Sequence, residues 1–304
     1  MIKKTLQYKI TEKDQGKTVE QFLRSKGYSH RLVVKLRNSP TGLTIGGELA
    51  FTIHRLQAGE ILIATLEEEN SQNIVPVELP LNIVYEDEDI LVVNKDAGVP
   101  IHPSQGHFDH TLANAVAWYY QSKGQTLVYR AINRLDRDTT GLLILARHSL
   151  SAAILSEMVK NRQIHREYLA VATGKVPESG VIDAPISRVD GSTIERCVDF
   201  DRGEAARTHY RSVFYDPVTN CSLVSLKLET GRTHQIRVHM AHIGHPILGD
   251  TVYGAKKPVP GLQGQCLHAV GLRFLHPRTG ELVELWCDLP EEFRTQLRKL
   301  ENRG

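Results

Sequence analysis

One short segment combines residues that could carry out nucleophilic or acid-base chemistry. Residues 133–141 read N-R-L-D-R-D-T-T-G, which places the carboxylate of Asp136 between Arg134 and Arg137, directly before an apolar run. A nearby positive charge favours the ionised form of a carboxyl group. We therefore expect Asp136 to be a carboxylate at neutral pH, suited to be a nucleophile or an electrostatic anchor and poorly suited to donate a proton.

A second dense segment lies far along the chain and could supply the partner charge. Residues 230–239 read T-G-R-T-H-Q-I-R-V-H, and either Arg232 or Arg237 could pair with Asp136. The two segments together, in this order, predict a charged site built from distant parts of the sequence.

Backbone geometry limits which side chains of residues 133–141 can face the same side of the chain. If residues 134–136 are extended, Arg134 and Asp136 point to the same face while Arg137 points away. This spacing predicts that Arg134 and Asp136 enter one cleft. Asp138, which precedes Thr-Thr-Gly, is instead typical of a turn or capping residue.

Length and composition indicate a globular protein of about two domains. The chain has 304 residues, of which 41% are hydrophobic and 24% charged. Its apolar runs are far shorter than the ~20 residues of a membrane helix, and its N-terminus lacks the apolar core of a signal peptide. Four scattered cysteines without a C-x-x-C pair are typical of reduced thiols. We expect a cytoplasmic protein with no membrane association.

Charge is spread unevenly along the chain. Residues 1–66 contain eleven lysines and arginines against five acids, whereas the formal net charge of the whole chain is only +2. A basic front end on a slightly acidic body indicates that the first module contacts a polyanion. A lysine-rich solvated surface would give the same charge, so charge alone leaves both interpretations open.

The acidic, polar stretch over residues 67–78 marks a domain boundary. We predict a small first domain over residues 1–70, a linker over 71–78 and a larger domain over 79–304.

Apolar spacing and cap residues predict the secondary structure, with Thr18 (paired with Gln21), Ser29 and Thr111 as the caps of the first three helices. Helices are predicted over residues 18–24, 29–37, 111–121, 149–159, 233–242 and 291–300. Strands are predicted within residues 42–47 and 61–65, as a pair within 83–94, and over 141–146, 168–172, 210–215 and 221–229. The strands cluster without regular βαβ alternation, so the fold class is α+β, with a mixed or antiparallel sheet and flanking helices.

Four ordered blocks resemble the RluA-type family of RNA pseudouridine synthases. The run N-R-L-D-R-D-T-T-G is similar to that family's H-R-L-D-x-x-T-S-G signature. It is accompanied, in family order, by V-N-K-D-A-G-V-P-I-H-P, R-E-Y-L-A and L-E-T-G-R-T-H-Q-I-R-V-H, the last continuing into G-H-P-I-L-G-D-T-V-Y-G. With the first module included, the resemblance covers nearly the whole chain. It implies a pseudouridine synthase fold and an isomerase of the intramolecular transferase kind.

The resemblance also implies a reaction and its residues. A uridine's N1–C1′ bond is broken and the ring is reattached through C5, without a cofactor or a metal. The family's essential aspartate corresponds to Asp136, acting as nucleophile or as acceptor of the C2′ proton. Tyr168 corresponds to the active-site tyrosine, and Arg237 to the arginine that pairs with the aspartate. Arg134 corresponds to the arginine that fills the space of a flipped base, and Arg232 is expected to bind substrate with it.

Three positions depart from the family pattern. Asn133 stands where histidine is usual, Thr140 where serine is common, and Asp96 where proline is typical. The first two substitutions retain hydrogen-bonding capacity beside Asp136, whereas Asp96 is expected to loosen the turn that follows it.

The first module resembles the S4-like RNA-binding domain. The matching pieces are S-H-R-L-V-V-K-L-R, a glycine turn and L-Q-A-G-E-I-L-I-A. This resemblance implies that Arg31 and Lys35, on the second helix, contact phosphates of structured RNA. A basic appendage with no nucleic-acid role is the alternative.

Other functions compete with this interpretation. The histidines of residues 234–245 together with Asp250 suggest a metal-dependent hydrolase, but no H-E-x-x-H motif is present. A non-catalytic RNA-binding or ribosome-assembly factor is a third class, which the set of Asp136, Tyr168 and Arg237 disfavours. For an RNA-modifying enzyme the S4-like module favours large-subunit ribosomal RNA (23S type) as partner, with tRNA as the alternative. A monomer is expected.

Overall fold

The computed structural model describes residues 2–68, 74–104, 106, 108–255 and 257–301. The strands are β1 (Ile2–Lys9), β2 (Leu43–Ile45), β3 (Glu48–Leu49), β4 (Ile61–Glu68), β5 (Asn82–Glu86), β6 (Ile90–Lys95), β7 (Thr140–Ala146), β8 (His165–Thr173), β9 (Ser179–Asp183), β10 (Ile186–Arg188), β11 (Arg196–Val198), β12 (Arg207–Asp216), β13 (Cys221–Leu228), β14 (Leu267–Leu275) and β15 (Leu282–Trp286). The helices are α1 (Val19–Ser25), α2 (His30–Arg37), α3 (Leu112–Ser122), α4 (Ser149–Lys160), α5 (Gln235–His242) and α6 (Glu291–Glu301).

The first module has its own sheet and its own core. Its sheet has the order β1-β4-β2-β3, and α1 and α2 pack beside it. Thr18 caps α1 in a reciprocal capping box with Gln21, and the side chain of Ser29 caps α2. Both caps confirm the sequence prediction. One cluster of buried apolar side chains, including Phe22 of α1, Leu36 of α2 and others from β2 and β4, fills the interior, and Leu6 and Tyr8 of β1 pack against it partly buried.

The second body is a nine-stranded mixed sheet. Its order is β5-β6-β7-β14-β8-β13-β12-β9, with β15 added alongside β14. Only β7 and β14 are paired in parallel, while the other pairs in this sheet are antiparallel. The predicted α+β class with a mixed sheet is confirmed.

Both faces of this sheet are covered, which explains why β7 is apolar without alternation. Every residue of β7 is buried. Leu143 and Leu145 belong to the core cluster on the side of α3, whereas Leu142 and Ile144 belong to the cluster on the side of α4. The Asp136 segment therefore leads directly into a strand that is buried on both faces of the sheet.

Some elements differ from the sequence prediction. The terminal strand β1, the strands β9, β10 and β11 and the pair β14–β15 were not predicted, and α5 begins two residues later than expected. Residues 69–73, which contain the end of the predicted first domain and the start of the predicted linker, lie outside the described residues. Within the described ranges, no helix is both long and apolar enough to cross a membrane.

The first module contacts the second body at the start of α4. Glu68, at the end of β4, accepts a hydrogen bond from the backbone N–H of Ser149 at 2.9 Å. Lys4 pairs with Glu88 at 2.8 Å, and Leu150 of α4 belongs to the core of the first module.

Candidate active site

The loop before β7 is fixed to the sheet by Asn133. Its side-chain oxygen accepts from the backbone N–H of Ile144 at 2.8 Å, and its amide group donates to the carbonyl of Leu142 at 3.4 Å. Asn133 is thus a buried structural anchor. The amide of Asn133 supplies the acceptor for the N–H of Ile144 and the donor for the carbonyl of Leu142. Asparagine can therefore anchor this loop at the position where the family usually has histidine.

Asp136 lies at the floor of an open cleft. Its side chain is 23% exposed, and its Oδ2 accepts from Nη1 of Arg237 at 3.1 Å. The preceding residue, Leu135, is buried, while Arg134 lines the same cleft as Asp136. Arg137 turns away and donates through Nε and Nη2 to Asp138. The charge that accompanies Asp136 therefore comes from α5 and not from the adjacent arginine.

Arg237 is a buried guanidinium shared by two carboxylates. Its Nε and Nη2 donate to Asp250 at 2.7 and 3.0 Å, and the third donor reaches Asp136. Although burial opposes the charge, the Asp250 and Asp136 carboxylates raise the pKa of Arg237. Burial likewise opposes ionisation of Asp250, yet Arg237 lowers the pKa of Asp250. Asp250 thereby fixes the planar guanidinium group of Arg237 and directs its Nη1 toward Asp136 in the cleft.

Tyr168 borders the same cleft from β8. It is 3% exposed. Burial raises the pKa of Tyr168, the positive charge of Arg166 opposes the rise, and Asp136 adds to it. The hydroxyl is therefore protonated at neutral pH, and the side chain lies within electrostatic reach of the Asp136 carboxylate.

The ammonium group of Lys95 holds the loop before β7 in place through hydrogen bonds to backbone carbonyls. It donates to the carbonyls of Asp96 at 2.8 Å, Val99 at 3.0 Å and Arg137 at 2.7 Å. Burial lowers the pKa of Lys95 to about 7, against the opposing charge of Asp138 and other nearby aspartates. Three accepting carbonyls use all three protons of the ammonium form, so the charged lysine gives the tightest clamp.

The cleft above Asp136 is large and basic. Its volume is about 730 Å³, which is large enough for a nucleotide and part of its neighbours. The basic side chains along its walls are Arg134, Lys160, Arg162, Arg166 and Arg232. Five basic side chains against two carboxylates, Asp136 and Glu229, favour an anionic polymer as substrate.

The sequence-predicted residues fall into two places. Arg134, Asp136, Tyr168 and Arg232 line the cleft, and Arg237 contacts Asp136 from its floor. Arg134 donates to Thr233 at 3.1 Å, whereas Arg232 is paired with Glu204 and donates to the carbonyl of Ala205.

Arg31 and Lys35 are exposed on α2 of the first module and take no part in lining the cleft.

Several side chains at the site were not indicated by the sequence. Lys95 lies within a family-like block but carries no local signal of a role, Asp250 was considered only with the histidines as a metal ligand, and Arg166 immediately precedes Glu-Tyr in R-E-Y-L-A. The Nε atom of Arg166 is buried, and within the described part of the chain it has no hydrogen-bond partner. A buried donor without a partner costs free energy, so this nitrogen is an unsatisfied group at the wall of the cleft.

The predicted histidine cluster is dispersed in the fold. The ring of His239 contacts Thr208 and the carbonyl of Ala184, and His245 contacts the carbonyl of Thr173. Asp250 is fully engaged by Arg237. These contacts remove the geometric basis of the metal-hydrolase hypothesis.

Across the described ranges, a single group of three side chains has metal-ligand spacing: Asp87, Asp89 and His276. Asp89 already binds His148 at 2.9 Å and Arg278 at 2.6 Å. An arginine in the coordination sphere makes this group a hydrogen-bonded charge cluster rather than a cation site.

Gly141 should be indispensable to the strand that follows Asp136. Its φ is +111°, and a Cβ there would overlap the backbone of Ala269 on the parallel neighbour β14. We expect Gly141→Ala to lower the free energy of unfolding by at least about 3 kcal/mol in urea titrations. Gly280→Ala is the control, because Gly280 has a φ of +73° with open space around it; it should cost only about 1–2 kcal/mol. Equal losses would contradict the close packing described at Gly141.

Comparisons with known proteins find similar RNA pseudouridine synthases. A family model described as RNA pseudouridylate synthase matches residues 89–242. The chain is 40% identical over 288 residues to the uncharacterized RNA pseudouridine synthase YjbO of Bacillus subtilis, which covers 94% of this chain and 99% of that protein. It is 39% identical over 251 residues to the ribosomal large subunit pseudouridine synthase D of Pasteurella multocida, covering 79% of this chain and 76% of that protein.

A solved structure also matches the fold. Human RNA pseudouridylate synthase domain containing 1 aligns with a TM-score of 0.57 and 29% identity, covering 69% of this chain and 84% of that one. The mixed sheet and these relatives define an RNA pseudouridine synthase, an isomerase that acts on RNA. Within that class, the chain belongs to the RluA-type family.

Proposed function

We propose that this enzyme isomerises specific uridines of large-subunit ribosomal RNA, with Asp136 as its essential carboxylate. The substrate is suggested by relatives such as the large-subunit enzyme of Pasteurella multocida, at 39% identity over 79% of this chain. The role of Asp136 rests on one observation: its partly exposed carboxylate is ion-paired with buried Arg237 at 3.1 Å inside the basic cleft.

The chemistry demands a carboxylate in this state. The uridine's N1–C1′ bond breaks, a C5–C1′ bond forms, the proton on C5 is lost and N1 acquires one. Asp136 either attacks C1′ and forms an ester, which divides one difficult step into two easier ones, or accepts the C2′ proton and returns it. In both routes an ionised carboxylate is required, and the Arg237 guanidinium lies 3.1 Å from it as its partner charge. No electron is exchanged with an outside group, so the proposed reaction requires neither a cofactor nor a metal.

Access to the carboxylate requires the uridine to leave its helix. Extruding a base costs a few kcal/mol of stacking and pairing. Arg134 is exposed at the cleft rim and can fill the vacated position, while the ring of Tyr168 can stack on the uracil. The protonated Tyr168 hydroxyl is then placed near the C5 proton that must be lost.

We propose further that residues 1–70 form an S4-like RNA-binding domain, joined by a linker over 71–78 to a catalytic domain over 79–304. The separate sheet and separate apolar core of the first module support this division. Arg31 and Lys35 lie exposed on α2, whose other side is buried. A helix with one apolar and one basic side can dock on the phosphate backbone of folded RNA.

Charge reversal on α2 tests this domain. We expect the double variant Arg31→Glu, Lys35→Glu to weaken binding to substrate RNA by at least about tenfold at low salt, because each lost phosphate contact removes counterion release. The double variant Lys9→Glu, Lys13→Glu applies the same charge change to exposed residues elsewhere in the module. Filter binding across a salt series measures both. Equal weakening by the two variants would mean that general charge, and not the α2 surface, attracts the RNA.

The substrate proposal is tested by mapping pseudouridine in cellular RNA with and without the gene, and by assaying purified protein on transcripts of large-subunit rRNA and tRNA. We expect a site in large-subunit rRNA to lose its pseudouridine in the deletion strain. A site lost from tRNA instead would move the substrate to that class. Unchanged maps and no turnover on either transcript would favour a non-catalytic assembly factor.

Location and assembly follow from the same proposal. The proposed substrate belongs to a cytoplasmic particle, and we therefore expect the enzyme to act in the cytoplasm. We expect a monomer, which light scattering after size-exclusion chromatography can check.

A further inference from the structure

His234 occupies an unusual backbone position beside Asp136. Its φ of +57° lies in the left-handed region, which only two other non-glycine residues of the described chain adopt, Arg162 and Asn220. Such a conformation costs on the order of 1 kcal/mol and persists where the surrounding structure enforces it, often at functional sites. The helix end gains nothing from the side chain of His234, which makes no capping hydrogen bond.

The strained backbone directs the imidazole at Asp136. Nε2 of His234 lies 3.9 Å from Oδ1 of Asp136, whereas Oδ2 is held by Arg237. The two carboxylate oxygens thus have different neighbours: one is fixed by a charged donor, and the other faces an imidazole nitrogen just beyond hydrogen-bond distance. Oδ1 is therefore the oxygen left free for the ribose.

The other ring nitrogen is occupied by Tyr253. The hydroxyl of Tyr253 accepts from the backbone N–H of Arg196 at 2.9 Å, so its own proton can point to Nδ1 of His234 at 2.8 Å. In that arrangement Nδ1 accepts and carries no proton, and the single proton of a neutral imidazole is on Nε2. That proton faces Oδ1 of Asp136.

Burial of His234 favours this neutral form. Burial lowers the pKa of His234, Asp136 opposes the decrease, Arg237 and Arg196 add to it, and Asp250 opposes it weakly. A neutral donor has a chemical advantage here. It can orient a carboxylate oxygen without adding a second full positive charge, which would reduce the basicity and nucleophilicity that the oxygen needs.

We propose that His234 is a positioning residue for Asp136: its neutral Nε2–H orients Oδ1 toward the ribose, and Tyr253 fixes the required tautomer. This role rests on the proposed function of Asp136. It explains why a non-glycine residue is retained in a strained conformation at the start of α5. A shift of roughly 1 Å, of the size that accompanies closure on a substrate, would convert the 3.9 Å approach into a hydrogen bond.

Two substitutions at one position separate this role from folding. Asparagine readily adopts the left-handed conformation, but it is too short to present a donor to Asp136. We expect His234→Asn to lower kcat by about 10- to 100-fold, the effect of one hydrogen bond to a charged group, with KM within about threefold of wild type. Glutamine places its amide near the position of Nε2, so His234→Gln should recover kcat to within about fivefold of wild type, despite its poorer fit to the backbone. Full activity of His234→Asn, or equal losses in both variants, would overturn the proposal.

A third variant removes only the hydroxyl of Tyr253 that fixes the tautomer of His234. Tyr253→Phe keeps the ring, which packs 5.1 Å from the guanidinium of Arg237, but loses the hydroxyl. We expect kcat to fall by about threefold to tenfold. Unchanged kcat in this variant would contradict the assignment of Tyr253.

Nitrogen-15 NMR of labelled histidine tests the inference in the unmutated enzyme. His234 is expected at pH 7 as a neutral ring with its proton on Nε2; a proton on Nδ1, or a cation, would overturn the proposal even if no variant at this position folds.

The variant Asp136→Asn distinguishes failure of the proposed function from failure of the role proposed for His234. If that variant stays active, the function proposed for Asp136 fails. If it is inactive while His234→Asn retains full kcat, only the role of His234 fails.

Discussion

Replacing Asp136 with asparagine is expected to abolish pseudouridine formation, with turnover reduced at least about 10⁴-fold. The amide has nearly the same shape, but it is a far weaker nucleophile toward C1′ and a far weaker acceptor for the C2′ proton. RNA affinity should remain within about threefold of wild type, because the basic walls of the cleft are unchanged. Release of the C5 proton from labelled uridine measures turnover, and filter binding measures affinity.

The control for this variant changes an aspartate with no role in the cleft. The side chain of Asp288 is 96% exposed, and Asp288→Asn should leave turnover and affinity unchanged. Turnover near the wild-type rate in Asp136→Asn would remove the carboxylate from the mechanism. Loss of turnover together with loss of RNA binding would indicate a binding role instead.

The second large effect is expected from Arg237→Lys. Arginine uses three separate donors to hold Asp250 and Asp136 in one fixed fork, and a lysine ammonium cannot reproduce this planar geometry. Asp250 would be left buried and poorly paired. We expect the free energy of unfolding to fall by about 3 kcal/mol, and kcat to fall by about 10²- to 10³-fold because Asp136 loses its orientation. Urea titration and single-turnover kinetics measure these two quantities.

A surface arginine on the terminal helix provides the matched control. Arg298 pairs with Glu291 at 2.9 Å with both side chains largely exposed, so Arg298→Lys should have almost no effect on stability or rate. If Arg237→Lys were as stable as wild type, the fork would contribute little to the fold. If it were unstable but turned over normally when folded, Arg237 would be structural only.

Local sequence predicted the elements whose hydrogen bonds are local. Thr18 with Gln21 and Ser29 at the first two helices, and Thr111 at α3, all cap as expected, because a cap needs only residues within one turn. The unbroken apolar run over residues 141–146 likewise predicted a strand, and β7 is buried along its whole length.

Long-range pairing explains what the sequence did not indicate. The lysine-rich β1 becomes a strand because its backbone pairs along the whole length of β4, and its composition alone gives weak strand propensity. The parallel contact of β14 with β7 joins residues more than a hundred positions apart, and no local pattern predicts such a contact.

The ion pairs at the site also depend on long-range contacts that local sequence does not predict. Arg137 is adjacent to Asp136 in sequence yet pairs with Asp138, whereas the actual partner, Arg237, is 101 residues away. Family resemblance indicated that partner, and local spacing left it open between Arg232 and Arg237. The connection from Arg196 through Tyr253 to His234 joins three separate segments, so it becomes visible only in the folded chain.

The most direct measurement is a structure of the Asp136→Asn variant bound to its substrate RNA. The account requires the target uridine to be extruded from its helix, with C1′ or C2′ of its ribose within about 3.5 Å of the residue 136 side chain and its base against Tyr168. A target base still stacked in the RNA, with its ribose outside the cleft, would contradict the account.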